Sequence, residues 1–238
     1  MTDLVAVLSA RLGRVGIDLV GATSVAAYDA RVPADRRLAG DAPGARGVVV
    51  LGNGGRALWD AFRGAAGEAG VADPLDAFVQ RAVEAAIHDV AGARCRYPSE
   101  PEVDFRLLAE LAGLGRPSLV GVLVHPVYGP WMALRAAVLV PYDVSAPRPA
   151  EGFDPCPTCT ERPCIPACPA GAIGPGGWDV PRCVAHRLAE ETHCASGCTA
   201  RIECVYGRAH RQPPEALAFH QAAARRTMVA YASAARKA

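Results

Sequence analysis

Eight of the nine cysteines in this chain lie between residues 156 and 204, and the chemistry of the sequence begins with their spacing. Residues 156 to 173 read CPTCTERPCIPACPAGAI, a C-x2-C-x4-C-x3-C-P run through Cys156, Cys159, Cys164 and Cys168. Gaps this short let successive thiolates converge on one inorganic cube. The run is close to the bacterial C-x2-C-x2-C-x3-C-P spacing, which wraps a 4Fe-4S cluster while its fourth cysteine serves a second cluster. Pro169 turns the chain away after the last ligand, and the Ala-Gly-Ala-Ile that follows suits close packing beside a cluster. A structural zinc site asks for two C-x2-C hooks across a longer spacer, and only one such hook occurs here. Cys183, Cys194, Cys198 and Cys204 form a looser second set, with gaps of ten, three and five residues. A two-cluster ferredoxin needs eight thiolates in two groups that exchange their last ligands. On that pattern cluster one falls on Cys156, Cys159, Cys164 and Cys204, and cluster two on Cys183, Cys194, Cys198 and Cys168. Cys95 stands apart and reads as a buried small apolar residue.

The elements that must hold these thiols can be read from composition and periodicity. With 238 residues, 51% hydrophobic and 21% charged, the chain can bury the core of one large or two modest domains. A net charge of +1 argues against nucleic acid or an anionic membrane as the main partner. The N-terminal stretch MTDLVAVLSARLGRVG lacks the pattern of a signal peptide, and no apolar run reaches spanning length, so a reducing cytoplasm is expected, where clustered cysteines bind metal. The stretch PYDVSAPRPAEGFDPCP, residues 141 to 157, holds five prolines and no periodicity, which predicts a boundary near residue 148. Residues 1–148 then form an α/β domain and residues 149–238 a small two-cluster module with a C-terminal helix from about Glu215. Within the first, RGVVVL at 46 to 51 predicts a strand ending at a turn of Gly52-Asn53-Gly54-Gly55. Asp73 and Pro74 open a helix carried by Leu75, Phe78, Val79, Ala82, Val83, Ala86, Ile87 and Val90. A further helix is expected over Val103 to Leu114, and strands over Leu119 to Val124 and Ala133 to Val140. Together these predict an α/β sandwich with a mixed sheet.

The region from Cys156 to Gly207, with CPTCTERPCIPACPAGAI, WDVPRCVAH and CASGCTARIEC, resembles the two-cluster ferredoxin module of the epoxyqueuosine reductase family and short bacterial ferredoxin-type relatives of it. Residues 108 to 140, LAELAGLGRPSLVGVLVHPVYGPWMALRAAVLV, are similar to the stretch of that family where a helix ending in Ala-Gly-Leu-Gly leads into a strand, a Gly-x-Trp turn and another strand. The resemblance implies an α+β nitroreductase-like domain that holds a cobalamin, with flavin the alternative in such domains, and electrons moving from two 4Fe-4S clusters to the corrinoid. It also implies His125, Tyr128 and Trp131 as cofactor contacts. The resemblance stops short of the substrate: after Ala-Gly-Leu-Gly the family continues Trp-x-Gly-Lys-Asn, and here Arg116-Pro117-Ser118 stands instead.

Three functions follow from these readings. The first is an iron-sulfur reductase acting on a corrinoid or small-molecule substrate and fed by a redox partner protein. The second is a ferredoxin-like electron carrier without catalysis of its own, which fits the lack of an acid, base or nucleophile constellation before residue 148. The third is a cysteine-zinc interaction module. Gly52-Asn53-Gly54-Gly55 lacks both the G-x-G-x-x-G order and the lysine of a phosphate loop, and reads as a structural turn. His186 and His193 flank cluster cysteines, where they would tune potential or simply meet solvent.

Overall fold

A computed structural model describes residues 3–65, 72–146, 152–189 and 194–235. The expected boundary at residue 148 and the expected histidine at 193 lie outside the described residues. The chain forms two compact units: Met1–Arg116 with Met132–Phe153, and Pro117–Trp131 with Asp154–Ala238. The second unit is therefore assembled from two separated stretches of sequence.

The first unit is built on one four-stranded sheet. Its strands are β1 (Leu19–Ser24), β2 (Gly47–Gly54), β3 (Arg94–Arg96) and β4 (Met132–Val140), in the order β1-β2-β4-β3. All three pairings are antiparallel, where the sequence reading expected a mixed sheet. The local pattern of a strand running into a helix suggests a parallel crossover, but it carries no information on strand direction, which long-range pairing decides. Every residue of β2 is buried, and helices pack against it, β1 and β4.

The helices of this unit follow local rules. In α1 (Leu4–Leu12) the Asp3 carboxylate accepts from the Val5 and Ala6 amides, and Leu4, Val5, Leu8 and Leu12 are buried. Ser24 ends β1 and caps α2 (Val25–Asp29) by accepting from the Ala27 amide. The short α3 (Leu38–Asp41) and α4 (Ala57–Gly64) follow. The strongest periodicity in the sequence becomes α5 (Pro74–Ile87), with Leu75, Val79, Val83 and Ala86 buried; Asp73 holds the cap position without a side-chain capping bond. Asp104 caps α6 (Phe105–Leu111), shorter than the expected 103–114, by accepting from the Leu107 amide at 2.9 Å. Residues 52 to 54, expected as a turn, continue β2 instead. Asp18 accepts from the Gly54 amide at 2.8 Å and the Arg135 Nε donates to Asn53 Oδ1 at 2.7 Å, which holds this segment in the sheet despite its glycines.

The second unit has little regular structure. It comprises α7 (Pro155–Thr158), a hairpin of Ile173–Gly174 with Gly177–Trp178, α8 (Val180–Ala189), α9 (Thr199–Ile202) and α10 (Pro214–Ala235). Of the strand expected over 119–124, only Leu123–Val124 is extended. Helix α10 is held to α8 by the buried Arg187, whose guanidinium donates to the Gln221 carbonyl at 3.2 Å and the Met228 sulfur at 3.3 Å. No helix among the described residues is long and apolar enough to cross a membrane.

Candidate metal centre

All eight clustered cysteines belong to the second unit, all are free thiols, and all are half-buried. Cys156 lies in α7 behind Pro155, and Cys159 caps its end, its amide donating to the Cys156 carbonyl. Cys164 and Cys168 follow on tight turns, Gly171 donating to the Cys168 carbonyl at 2.9 Å. Cys183 is on α8, Cys198 caps α9, and Cys204 follows that helix, donating to the Arg201 carbonyl. Cys194 sits at φ 58°, in the left-handed region where side chains other than glycine, asparagine and aspartate are rare.

The thiols influence one another in two sets. Burial is the main cause that raises the Cys164 thiol above its ordinary pKa, and Cys156, Cys204 and Cys159 raise it further. Cys204 is raised by burial and again by Cys156 and Cys159. Cys183 is raised by burial and by Cys168 and Cys194, and Cys198 by burial and by Cys194 and Cys183. Cys164 and Cys204 thus go with Cys156 and Cys159, while Cys183 goes with Cys168 and Cys194, and Cys198 with Cys194 and Cys183. Cys168 and Cys204 each sit with the other stretch's cysteines.

The first set opens on a cavity of about 370 Å³, counting its open side, lined by its four thiols together with apolar side chains including Leu119 and Val124. Into this cavity the Leu119 amide donates to Cys156 Sγ at 3.4 Å. In the second set the Ala172 amide donates to Cys168 Sγ, also at 3.4 Å. Amides aimed at sulfur stabilise thiolate over thiol and tune a cluster held by it. Among the described residues no group of three or more His, Cys, Asp or Glu side chains is gathered as a single metal ion would require. Four thiols around one cavity with an amide aimed at one of them are a donor set whose chemistry fits an iron-sulfur cube.

The stretch 117–131 closes on the cysteine segment by backbone contact. Gly129 (φ +57°) and Gly207 (φ +65°) leave no room for a Cβ: one at Gly129 would lie 2.3 Å from the Tyr206 carbonyl oxygen, and one at Gly207 2.2 Å from that of Tyr128. Gly121 is likewise pressed against the Trp178 ring. His125 and Gly129 exchange backbone hydrogen bonds of 2.9 and 2.8 Å, and the His125 Nδ1 accepts from the Val127 and Tyr128 amides at 3.0 and 3.2 Å. The Tyr128 ring meets His210 edge-on at 4.7 Å between centroids. Trp131 is wholly buried, its Nε1 has no hydrogen-bond partner, and the guanidinium groups of Arg201 and Arg211 lie 4.8 and 5.9 Å from its ring centroid. His125, Tyr128 and Trp131, expected as cofactor contacts of the N-terminal domain, thus belong to the second unit, where Tyr128 packs on His125 and His210 and Trp131 on Arg201 and Arg211.

Sequence reasoning missed Arg201. Its Nε donates to the Pro130 carbonyl at 2.9 Å, and it interacts with Cys198 of one set and Cys204 of the other. An arginine between Cys198 and Cys204 was in plain view, but nothing in its spacing distinguished it from a solvated residue. Cys95, in β3, is raised above its ordinary pKa chiefly by burial and lies in the first unit, apart from the other eight.

No family model matches the sequence, and no curated protein matches it. The fold does have relatives among solved structures. A B12-trafficking protein of C. elegans, CblC, homologous to human MMACHC, superposes with a TM-score of 0.60 at 14% identity, covering 92% of this chain and 90% of that one. Epoxyqueuosine reductase from Bacillus subtilis superposes at 0.57 and 18% identity, over 85% of this chain and 65% of the other. The catabolic reductive dehalogenase NpRdhA, in complex with 3-bromo-4-hydroxybenzoic acid, gives 0.53 and 22%, over 87% of this chain and 34% of that one. The chain therefore has a mixed helix and sheet fold similar to that of epoxyqueuosine reductase and a B12-trafficking protein, and it spans less than two thirds of the reductase's length.

Proposed function

We propose that the protein is an iron-sulfur oxidoreductase in which residues 149–238 hold two 4Fe-4S clusters and residues 1–148 hold a corrinoid as the electron acceptor. The observation that carries this reading is the crossed grouping of the eight thiols, in which Cys168 and Cys204 trade places between the two stretches of sequence. Cubes held this way supply one-electron chemistry, and a corrinoid supplies a metal centre that accepts it. The chain's own part is to hold eight sulfurs, to aim the Leu119 and Ala172 amides at two of them, and to keep the first set behind apolar side chains that limit water. The likeness in fold to a B12-trafficking protein and to a reductive dehalogenase supports the corrinoid. A redox partner protein is required as electron donor.

Anaerobic purification with iron and sulfide tests the reading. Eight thiolates correspond to about eight irons per chain; Cys95→Ala keeps all of them, and Cys164→Ser loses those of the first cluster. Stoichiometric zinc without iron would overturn the proposal. Reduced protein is then titrated with cobalamin, with flavin in parallel, and shifts in absorbance are followed. Binding of neither, with reduction of an external acceptor intact, identifies an electron carrier instead.

A further inference from the structure

The first unit contains a second cavity, unrelated to the thiols, of about 430 Å³ counting its open side. One wall is Arg135 of β4, and the Arg135 Nε donates to the buried Asn53. That bond is the guanidinium's one hydrogen bond or ion pair among the described residues, so four of its five N–H donors remain for something else. Asp76 also lines the cavity and favours the charged guanidinium, but it is exposed and stands beyond ion-pair distance. Tyr97 forms a further part of the wall, and its buried hydroxyl has no well-formed hydrogen bond; its neighbour is the Cys95 thiol, a weak hydrogen-bonding group. Burial lowers the Arg135 pKa to about 10, which leaves it charged at neutral pH, and burial raises that of Tyr97, which keeps its proton.

A half-buried cation with one hydrogen bond and a buried hydroxyl left with only a thiol beside it both cost stability unless an anion meets them. Val79 and Leu134 add an apolar wall, and Gln80 and Ser99 add neutral polar groups. We infer that this cavity is a binding site for a small organic acid, whose carboxylate pairs with Arg135 and accepts from Tyr97 while its apolar body rests on Val79 and Leu134. The inference is independent of the clusters, whose iron content is measured separately.

Benzoate is the probe, with uncharged benzamide and inorganic phosphate beside it, each titrated calorimetrically into the intact iron-loaded protein. Benzoate binds, benzamide binds at least about tenfold more weakly, and Arg135→Met weakens benzoate by a similar factor, as expected for a charge-assisted bond. Tyr97→Phe keeps the shape of the wall and weakens benzoate by about three- to tenfold, so the inference survives should Arg135→Met misfold. Asp76→Asn removes an opposing charge and tightens binding. Phosphate tighter than benzoate would overturn the apolar part of the assignment. Equal binding of benzamide, unchanged affinity in Tyr97→Phe, or no benzoate binding at about 10 mM would overturn the site itself.

Discussion

Arg201 stands between the two thiol sets: burial lowers its pKa, while Cys198 and Cys204 both favour its charge. Its position is fixed by the Trp131 ring and the Pro130 carbonyl. A cation held beside a cluster favours the reduced, more negative state, and net charge is a principal control of cluster potential. Arg201→Met therefore lowers the reduction potential of at least one cluster by about 60 mV, a tenfold change for one electron, while Arg201→Lys keeps most of the charge and most of the potential. A redox titration followed by electron paramagnetic resonance reads the shift, and equal potentials in the wild type and the Met variant, with iron intact, would remove Arg201 from this role. The cysteines and the arginine differ in legibility for a physical reason. Thiols at short spacing declare themselves, because few other uses place four in thirteen positions. The role of Arg201 depends on a tryptophan and a carbonyl far away in the sequence, which no local pattern records.

At the scale of elements, the turn of residues 125 to 131 and the segment from Cys204 to Gly207 hold each other at backbone contact, and glycine is required on both sides. Gly207→Ala puts a methyl group 2.2 Å from the Tyr128 carbonyl oxygen at a φ of +65°. The left-handed backbone alone costs about 1–3 kcal/mol, and the overlap forces the segment carrying Cys204 to move. The variant is expected to melt lower and to lose iron from the first cluster before the second; a Gly207→Ala protein with wild-type melting and full iron would show the contact to be dispensable. Sequence reasoning succeeded where one period dominated. Leu75, Val79, Val83 and Ala86 of α5 and the β-branched run of β2 are buried where expected, although α5 ends at Ile87, before the expected Val90. It failed where tertiary partners overruled local preference, as Asp18 and Arg135 do in keeping Gly52, Asn53 and Gly54 in the sheet. It could not give strand direction, so the antiparallel sheet was beyond it.

At the scale of the whole molecule, the two units differ in what stabilises them. The first has a sheet whose central strand is buried throughout, covered by the apolar sides of its helices. In the second, the buried apolar residues are few and scattered, among them Leu123, Val124, Trp131, Ile173, Val184 and Leu217, and much of the backbone between cysteines is irregular. With the proposed clusters bound, a unit with so thin a core would draw its stability from them, because metal binding energy in such a module is folding energy. Removing iron with a chelator under anaerobic conditions is therefore expected to unfold the second unit and leave the sheet standing. Hydrogen exchange separates the outcomes, because the second unit is discontinuous. Residues 117–131 should lose protection together with the cysteine segment, while β4, which follows them immediately in sequence, and β2 keep theirs. Protection lost from 117–131 and β4 alike would mean that the chelator unfolds the molecule as one body. Protection kept throughout would mean that side-chain packing, without iron, suffices to fold the second unit.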